Sequence, residues 1–481
     1  MKRISVNVAI IGAGSAGMTA YRAALAHTDS VMVIESGPYG TTCARVGCMP
    51  SKLLIAAADA AHAVRQAGLF GIRVPSHEVD GAAVMRRVRE ERDRFVGFVV
   101  DAVQGWPEKH RLRGAARFTG PHTLLVGDDT EVQARRIVIA TGSSPVVPHG
   151  WRESLGERLI VNDDVFAWQD LPRSVAVAGA GVVGLELSLA LARLGVRVRL
   201  LGRNGRVGPL TDPEVIAAAR AIFCAEMAFS AESEQVRPSL EGEQVRIDFS
   251  EGGVARSELY DCLLVAAGRR ANLHGLDLKN AGLGLDEFGI PKADRHTAQI
   301  GASHIFMAGD AGSDTPLLHE AADEGYIAGD NAGRFPEVRA KPRRAPLTIV
   351  FTDPQIAIAG ASHRTLLEEE VDFEIGAASF EDQGRSRVMA QNHGLIRVYG
   401  DAGNGCFLGA EMIGPAAEHI GHLLSWAVQQ RQTVRQMLDS PFYHPTVEEG
   451  LRTALRQLDH RLRLRPRAPA PEGCMDCTPG A

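Results

Sequence analysis

"VNVAIIGAGSAGMTAYRAALA", residues 6–26, begins as an apolar run, turns through three glycines and continues with apolar residues at helical spacing. The run predicts a buried strand, the glycines a tight turn and the remainder an amphipathic helix. Gly12 and Gly14 allow the backbone to approach a pyrophosphate at the helix N-terminus, where unpaired N–H groups and the helix dipole favour an anion. Gly17 lets the helix sit close against the strand. "SVMVIES" (30–36) supplies the next strand, which ends at Glu35. One such fingerprint is weak evidence, but "SVAVAGAGVVGLELSLALARLGVRVRLLGRN" (174–204) repeats it with Gly179, Gly181 and Gly184. Two strand–turn–helix units predict an α/β chain with two Rossmann-like dinucleotide-binding domains.

A chain of 481 residues has room for two to four domains. No apolar stretch reaches the roughly 18 residues a membrane span needs. The net charge of −6 gives no reason to expect a nucleic-acid partner. Seven cysteines in so long a chain are not a disulfide framework of the secreted kind. The first twenty residues have a basic tip and an apolar run, but a cleaved leader has no use for a nucleotide fingerprint, so a cytoplasmic enzyme is expected.

Turn and proline signals divide the chain. Residues 1–150 are expected to form a first nucleotide domain and 151–272 the second. The chain is expected to return to the first unit over 273–345, and to form a separate α+β region over 346–462. Residues 463–481, which carry Cys474 and Cys477, read as a flexible tail.

"TTCARVGCMPSK" (41–52) places Cys43 and Cys48 five positions apart. On an ideal helix that spacing is about 7.5 Å along the axis, beyond the span of about 6.8 Å that a disulfide tolerates. A bridge therefore needs a distorted helix start, which Gly47 and Pro50 make available, and a strained bridge suits a redox couple better than a staple. Two unrelated thiols remain the alternative.

This stretch resembles the redox signature of the flavin-dependent pyridine nucleotide–disulfide oxidoreductases. The motifs "GAGSAG", "IATGS", "GAGVVGLE", "AAGRRAN", "MAGDAG", "FTDPQIAIAG" and "YHPTVEEG" follow in that family's order over nearly the whole chain. "PSK" is closest to the dihydrolipoamide dehydrogenase and mercuric reductase branches. The resemblance implies FAD on Gly12, Gly14, Gly17, Glu35, Thr141, Gly142, Gly309 and Asp310, and a nicotinamide dinucleotide on Gly179, Gly181, Gly184 and Gly268. It implies Cys48 facing the flavin and Cys43 exchanging with substrate, Lys52 near flavin N5 with Glu186 as its partner, and His444 with Glu449 as an acid/base dyad. That dyad would reach across an obligate homodimer.

Two departures stand out. Where NAD-preferring members carry an acid, "RLLGRNGR" (199–206) has Gly202 followed by Arg203 and Arg206, which predicts NADPH over NADH. Arg45 replaces a usual asparagine, a cation expected to favour the thiolate. The leading reading is an FAD-dependent, NAD(P)H-linked disulfide/dithiol oxidoreductase of dihydrolipoyl dehydrogenase type. A soft-metal reductase like mercuric reductase is the alternative, and a non-catalytic flavin-binding subunit a third. No metal site is expected, because the two thiolates of a CxxC do not complete a zinc site.

Overall fold

The computed structural model describes residues 1–312 and 315–464, so the expectation for Cys474 and Cys477 lies outside the described residues. The first sheet has seven strands. Lys2–Ile11 lies in parallel between Val31–Glu35 and Thr130–Ile139, with Ile11 paired to Ile34 on one side and Ile139 on the other. Val8, Ala9 and Ile10 have no exposure, as expected of a parallel strand covered on both faces. Thr130–Ile139 changes character along its length. Its first half alternates buried and open positions beside the hairpin Ala116–Gly120/Thr123–Val126, whereas Ile137, Val138 and Ile139 are buried where Ile305–Met307 joins in parallel.

The fingerprint helix Ser15–Leu25 is pressed against helix Leu318–Arg334 at backbone distance. A Cβ on Gly325 would stand 2.2 Å from the Ala16 carbonyl oxygen, and one on Gly329 2.2 Å from that of Ala20. Two glycines four apart thus form a smooth face that admits the neighbouring backbone.

The second sheet is a five-stranded parallel one, with Ser174–Ala178 at its centre between Arg197–Leu201 and Cys262–Val265. A three-stranded antiparallel sheet over 233–260 packs against it through Val245, Ile247 and Phe249. A third sheet, of five antiparallel strands over 347–414, is covered by helices Ala417–Gln429 and Glu448–Leu464. That last helix continues through residues 463 and 464, where the sequence reading expected the tail to begin. The two nucleotide units are joined by a two-stranded antiparallel ladder, Ser143–Pro145 with Arg269–Ala271. It is built from the "ATGSSP" and "AAGRRAN" segments.

Candidate active site

The two glycine turns are near copies. Gly12 (φ +107°) and Gly179 (φ +119°) adopt backbone that a side chain rarely tolerates, and a Cβ on either would meet a carbonyl oxygen at 2.3 Å. Gly17 and Gly184 lie so close to the preceding turn that a Cβ would fall 1.9 and 1.8 Å from the Gly12 and Gly179 oxygens. Gly14 and Gly181 differ from these. Each is the N-cap of its helix, with ordinary extended φ, no side-chain cap and no protein atom within 4 Å of where a Cβ would be. Each helix therefore opens with N–H groups that no side chain caps, a cradle whose polarity suits a pyrophosphate.

Other predicted cofactor residues surround the first cradle. Glu35 accepts the Ala13 N–H on one oxygen and the Gly37 N–H on the other, both at 2.7 Å, so it ties down the turn itself. Asp310, just past strand Ile305–Met307, accepts the Ser143 hydroxyl at 2.6 Å. Arg269 in turn donates to the Ser143 hydroxyl (2.8 Å) and carbonyl (2.7 Å). Gly309 donates its N–H to Glu324 at 2.9 Å. Gly142 and Gly268 flank the connecting ladder, whose ends close through Asn272 N–H to Gly142 O and Val146 N–H to Gly268 O, each 2.9 Å. Thr141 has a buried hydroxyl oxygen with no protein partner, a further polar atom suited to a bound cofactor. The residues present fit FAD at the first cradle and a second dinucleotide at the other.

The thiols lie on two helices rather than one. Cys43 belongs to the short helix Thr42–Val46 and Cys48 begins Cys48–Gln66; the break falls at Gly47, where a Cβ would come within 3.0 Å of the Thr42 oxygen and 3.2 Å of the Cys43 Cα. The structure holds them as two thiols in contact. The hydrogen bond from Cys43, opposed by burial and helped by the Lys52 charge, brings Cys48 down to about 7. The same hydrogen bond, together with burial, pushes Cys43 well above the ordinary thiol range. The two shifts together favour the proton on Cys43 and the negative charge on Cys48. The cation acting on the pair is Lys52. Arg45 instead directs its guanidinium to the Tyr39 carbonyl, 3.5 Å away.

Lys52 lies one turn beyond Cys48 and crosses to the second unit. Its ammonium meets both oxygens of Glu186, at 3.0 and 2.8 Å, and stands 4.6 Å from the centre of the Phe351 ring. Glu186, only 4% exposed, also accepts the Phe351 backbone N–H at 2.9 Å. His444 and Glu449 are paired as well, with Nδ1 3.1 and 3.0 Å from the carboxylate oxygens. The pair lies on the surface of the third unit with His444 81% exposed, and the hydrogen bond from His444 lowers Glu449. Arg203 and Arg206 are exposed on the loop after strand Arg197–Leu201, Arg206 donating to the Gly208 carbonyl at 3.2 Å.

A family model described as pyridine nucleotide-disulphide oxidoreductase matches residues 6–325, and that family's dimerisation domain matches residues 347–455. The chain belongs to the pyridine nucleotide-disulphide oxidoreductases. It is therefore a flavoprotein oxidoreductase acting on sulfur groups with a pyridine nucleotide. Dihydrolipoyl dehydrogenase 3 of Pseudomonas aeruginosa is 30% identical, over 95% of this chain and 98% of its own. Mercuric reductase of Acidithiobacillus ferrooxidans is 30% identical over 93% of this chain and 82% of its own. The HOCl-induced flavoprotein disulfide reductase RclA of Escherichia coli, solved as a Cu(II) complex, shares the fold, with a TM-score of 0.79 and 23% identity over 94% of this chain and 99% of that one.

Within this oxidoreductase chain, sequence reasoning missed Ser143, Arg269, Glu324 and Phe351. Ser143 and Arg269 stand inside motifs that were read for their glycines. Phe351 reaches Glu186 through its backbone N–H, which carries no residue signal, and Lys52 through its ring. No helix among the described residues is long and apolar enough to cross a membrane.

Proposed function

We propose that this protein is an NADPH-preferring disulfide reductase of dihydrolipoyl dehydrogenase type whose working thiols are Cys43 and Cys48. The observation that carries this reading is the placement of the thiols: Cys43 and Cys48 meet across the break between two helices, one turn from Lys52, which is anchored on buried Glu186. FAD would be held by Gly12, Gly14, Gly17, Glu35, Thr141 and Asp310, and the nicotinamide dinucleotide by Gly179, Gly181 and Gly184. Bound there, the flavin supplies the two-electron connection between a nicotinamide and the thiol pair.

The protein's own groups perform the sulfur chemistry. Cys43, once deprotonated, attacks one sulfur of a substrate disulfide and expels the other as a thiolate. The Cys48 thiolate then attacks Cys43, which releases the second substrate thiolate and leaves the Cys43–Cys48 disulfide. Two electrons have passed to the substrate. The leaving thiolates need protons, and the raised Cys43 needs a base. His444, oriented by Glu449, has the chemistry for both. In the homodimer supported by the matched dimerisation segment, His444 of the partner subunit serves each thiol pair. The exposed Leu423, Trp426 and Tyr443 on the same unit are apolar surface for that contact.

Preference for NADPH rests on the end of strand Arg197–Leu201. Gly202 is packed so tightly that a Cβ would stand 3.0 Å from Ala180 Cβ and 3.1 Å from the Ala231 oxygen. An acidic side chain there would press on Ala180 and Ala231, while Arg203 and Arg206 offer charge for a 2′-phosphate.

Anaerobic titration with NADPH and with NADH tests the reading. A long-wavelength absorbance band, formed at lower NADPH than NADH and discharged by lipoamide, is the expected result. Direct bleaching of the flavin with no such band would remove the thiols from the reaction.

A further inference from the structure

Lys52 and Glu186 are not the only charged contact between the thiol helix (Cys48–Gln66) and the nucleotide helix (Val182–Arg193). Seven residues further along each helix, Asp59 meets Arg193, with Oδ1 3.3 Å from a guanidinium nitrogen. The polarity is inverted: cation then anion along the thiol helix, anion then cation along the nucleotide helix. Arg193 is 3% exposed and all five of its N–H donors are used. Nε and one terminal nitrogen bind the Glu226 carboxylate, at 2.8 and 2.7 Å. The remaining donors reach Asp59, the Asp353 carboxylate (2.9 Å) and the Asp353 carbonyl (2.7 Å). His62, a turn beyond Asp59, places Nδ1 3.9 Å from Glu226.

The same third segment is held at both points. Phe351 gives its N–H to Glu186, and Asp353, two residues later, grips Arg193. Two turns of helix separate the contacts by about 10 Å, enough to stop a pivot that one ion pair permits. A slide of one helix by two turns would oppose Lys52 to Arg193 or Asp59 to Glu186, and like charges would then meet.

We infer that Arg193 and Asp59 form a second bolt that stops the thiol helix pivoting on the Lys52–Glu186 pair, and so fixes the place of the Lys52 ammonium relative to the thiol pair. They are positioning residues, since neither touches the reacting sulfurs. The inference rests on the reading that Cys48 and Lys52 work together in the reduced enzyme.

The test is the pH dependence of alkylation of the dithiol in FAD-loaded protein, reduced anaerobically, with Asp59→Asn and Arg193→Lys compared with wild type. Asp59→Asn leaves Arg193 paired with Glu226 and Asp353, so the fold keeps its buried charges matched, and melting temperature is recorded alongside. Wild type is expected to show an inflection near 7. In both variants it should rise by about one unit, which lowers the alkylation rate at pH 7 roughly five-fold, and Asp59→Glu should restore it. An unmoved inflection in a variant that only melts earlier would overturn the inference and leave the wild-type thiol pair intact. A wild-type inflection near 9 would overturn the reading of Cys48 and Lys52 as well.

Discussion

Phe351 donates its backbone N–H to Glu186 at 2.9 Å, so the carboxylate that holds Lys52 is itself held from the third unit of the chain. The Lys52 side chain is 31% exposed and can reach solvent as an alternative partner; Glu186, at 4%, cannot. Lys52→Met should therefore cost more than an exposed ion pair, on the order of 3 kcal/mol by chemical denaturation, because it strands a buried carboxylate. Glu186→Gln in the same background should recover most of that stability but not the low thiol pKa, separating the pair's structural role from its electrostatic one.

The thiol pair sets a pH dependence of its own. Cys48 lies below the ordinary thiol value of 9, at about 7, so its contribution to stability is complete above 9 and is lost as pH falls through 7. Cys43 is raised, and its contribution is present below 9 and lost as pH rises through its own higher value. Stability of the reduced protein should be greatest between the two values, where one proton is shared. Cys43→Ala removes the donor, and urea melts across pH 6–10 should then show the gain beginning at a higher pH.

Glycines that look alike in sequence should fail differently. Gly14→Ala adds a methyl group into open space at ordinary φ, so the apoprotein should melt as wild type does while FAD is lost on gel filtration. Gly17→Ala forces a Cβ against the Gly12 oxygen, and should yield little folded protein at all. Gly181→Ala should retain FAD and raise KM for the nicotinamide substrate.

At the second cradle, Arg203→Ala with Arg206→Ala should raise KM for NADPH by about ten- to a hundred-fold, the size of one charge-assisted hydrogen bond, and leave NADH nearly unchanged. Steady-state kinetics with both nucleotides decides it. Gly202→Asp should not rescue NADH binding. Its side chain would enter the space of Ala180 and Ala231, and the expected result is a destabilised domain.

The glycine fingerprints and the close pair of thiols were legible from local spacing, whereas Lys52, Glu186 and the His444–Glu449 pair were legible only through the family resemblance, since alone each reads as an ordinary surface or loop residue. Less legible was what holds them. Arg193 reads as an ordinary helix cation, and its carboxylates come from positions 59, 226 and 353, a cluster that only the fold brings together. The Arg269–Ser143–Asp310 relay likewise joins three motifs that are contiguous only through the connecting ladder. The sequence predicts a distorted helix start at Gly47 and Pro50; the structure has two separate helices, broken at Gly47, where the backbone is crowded against Thr42 and Cys43.

Strand Lys2–Ile11 is the middle of a sheet whose last strand is Ile305–Met307, and the helix after it rests on one that begins at Leu318. The second sheet draws all its strands from residues 159–265. During synthesis the first unit must wait for some three hundred residues before it can close, while the second is finished inside it. The order of completion on the ribosome thus inverts the order of the chain, and the fingerprint helix Ser15–Leu25 waits longest for the helix it packs against.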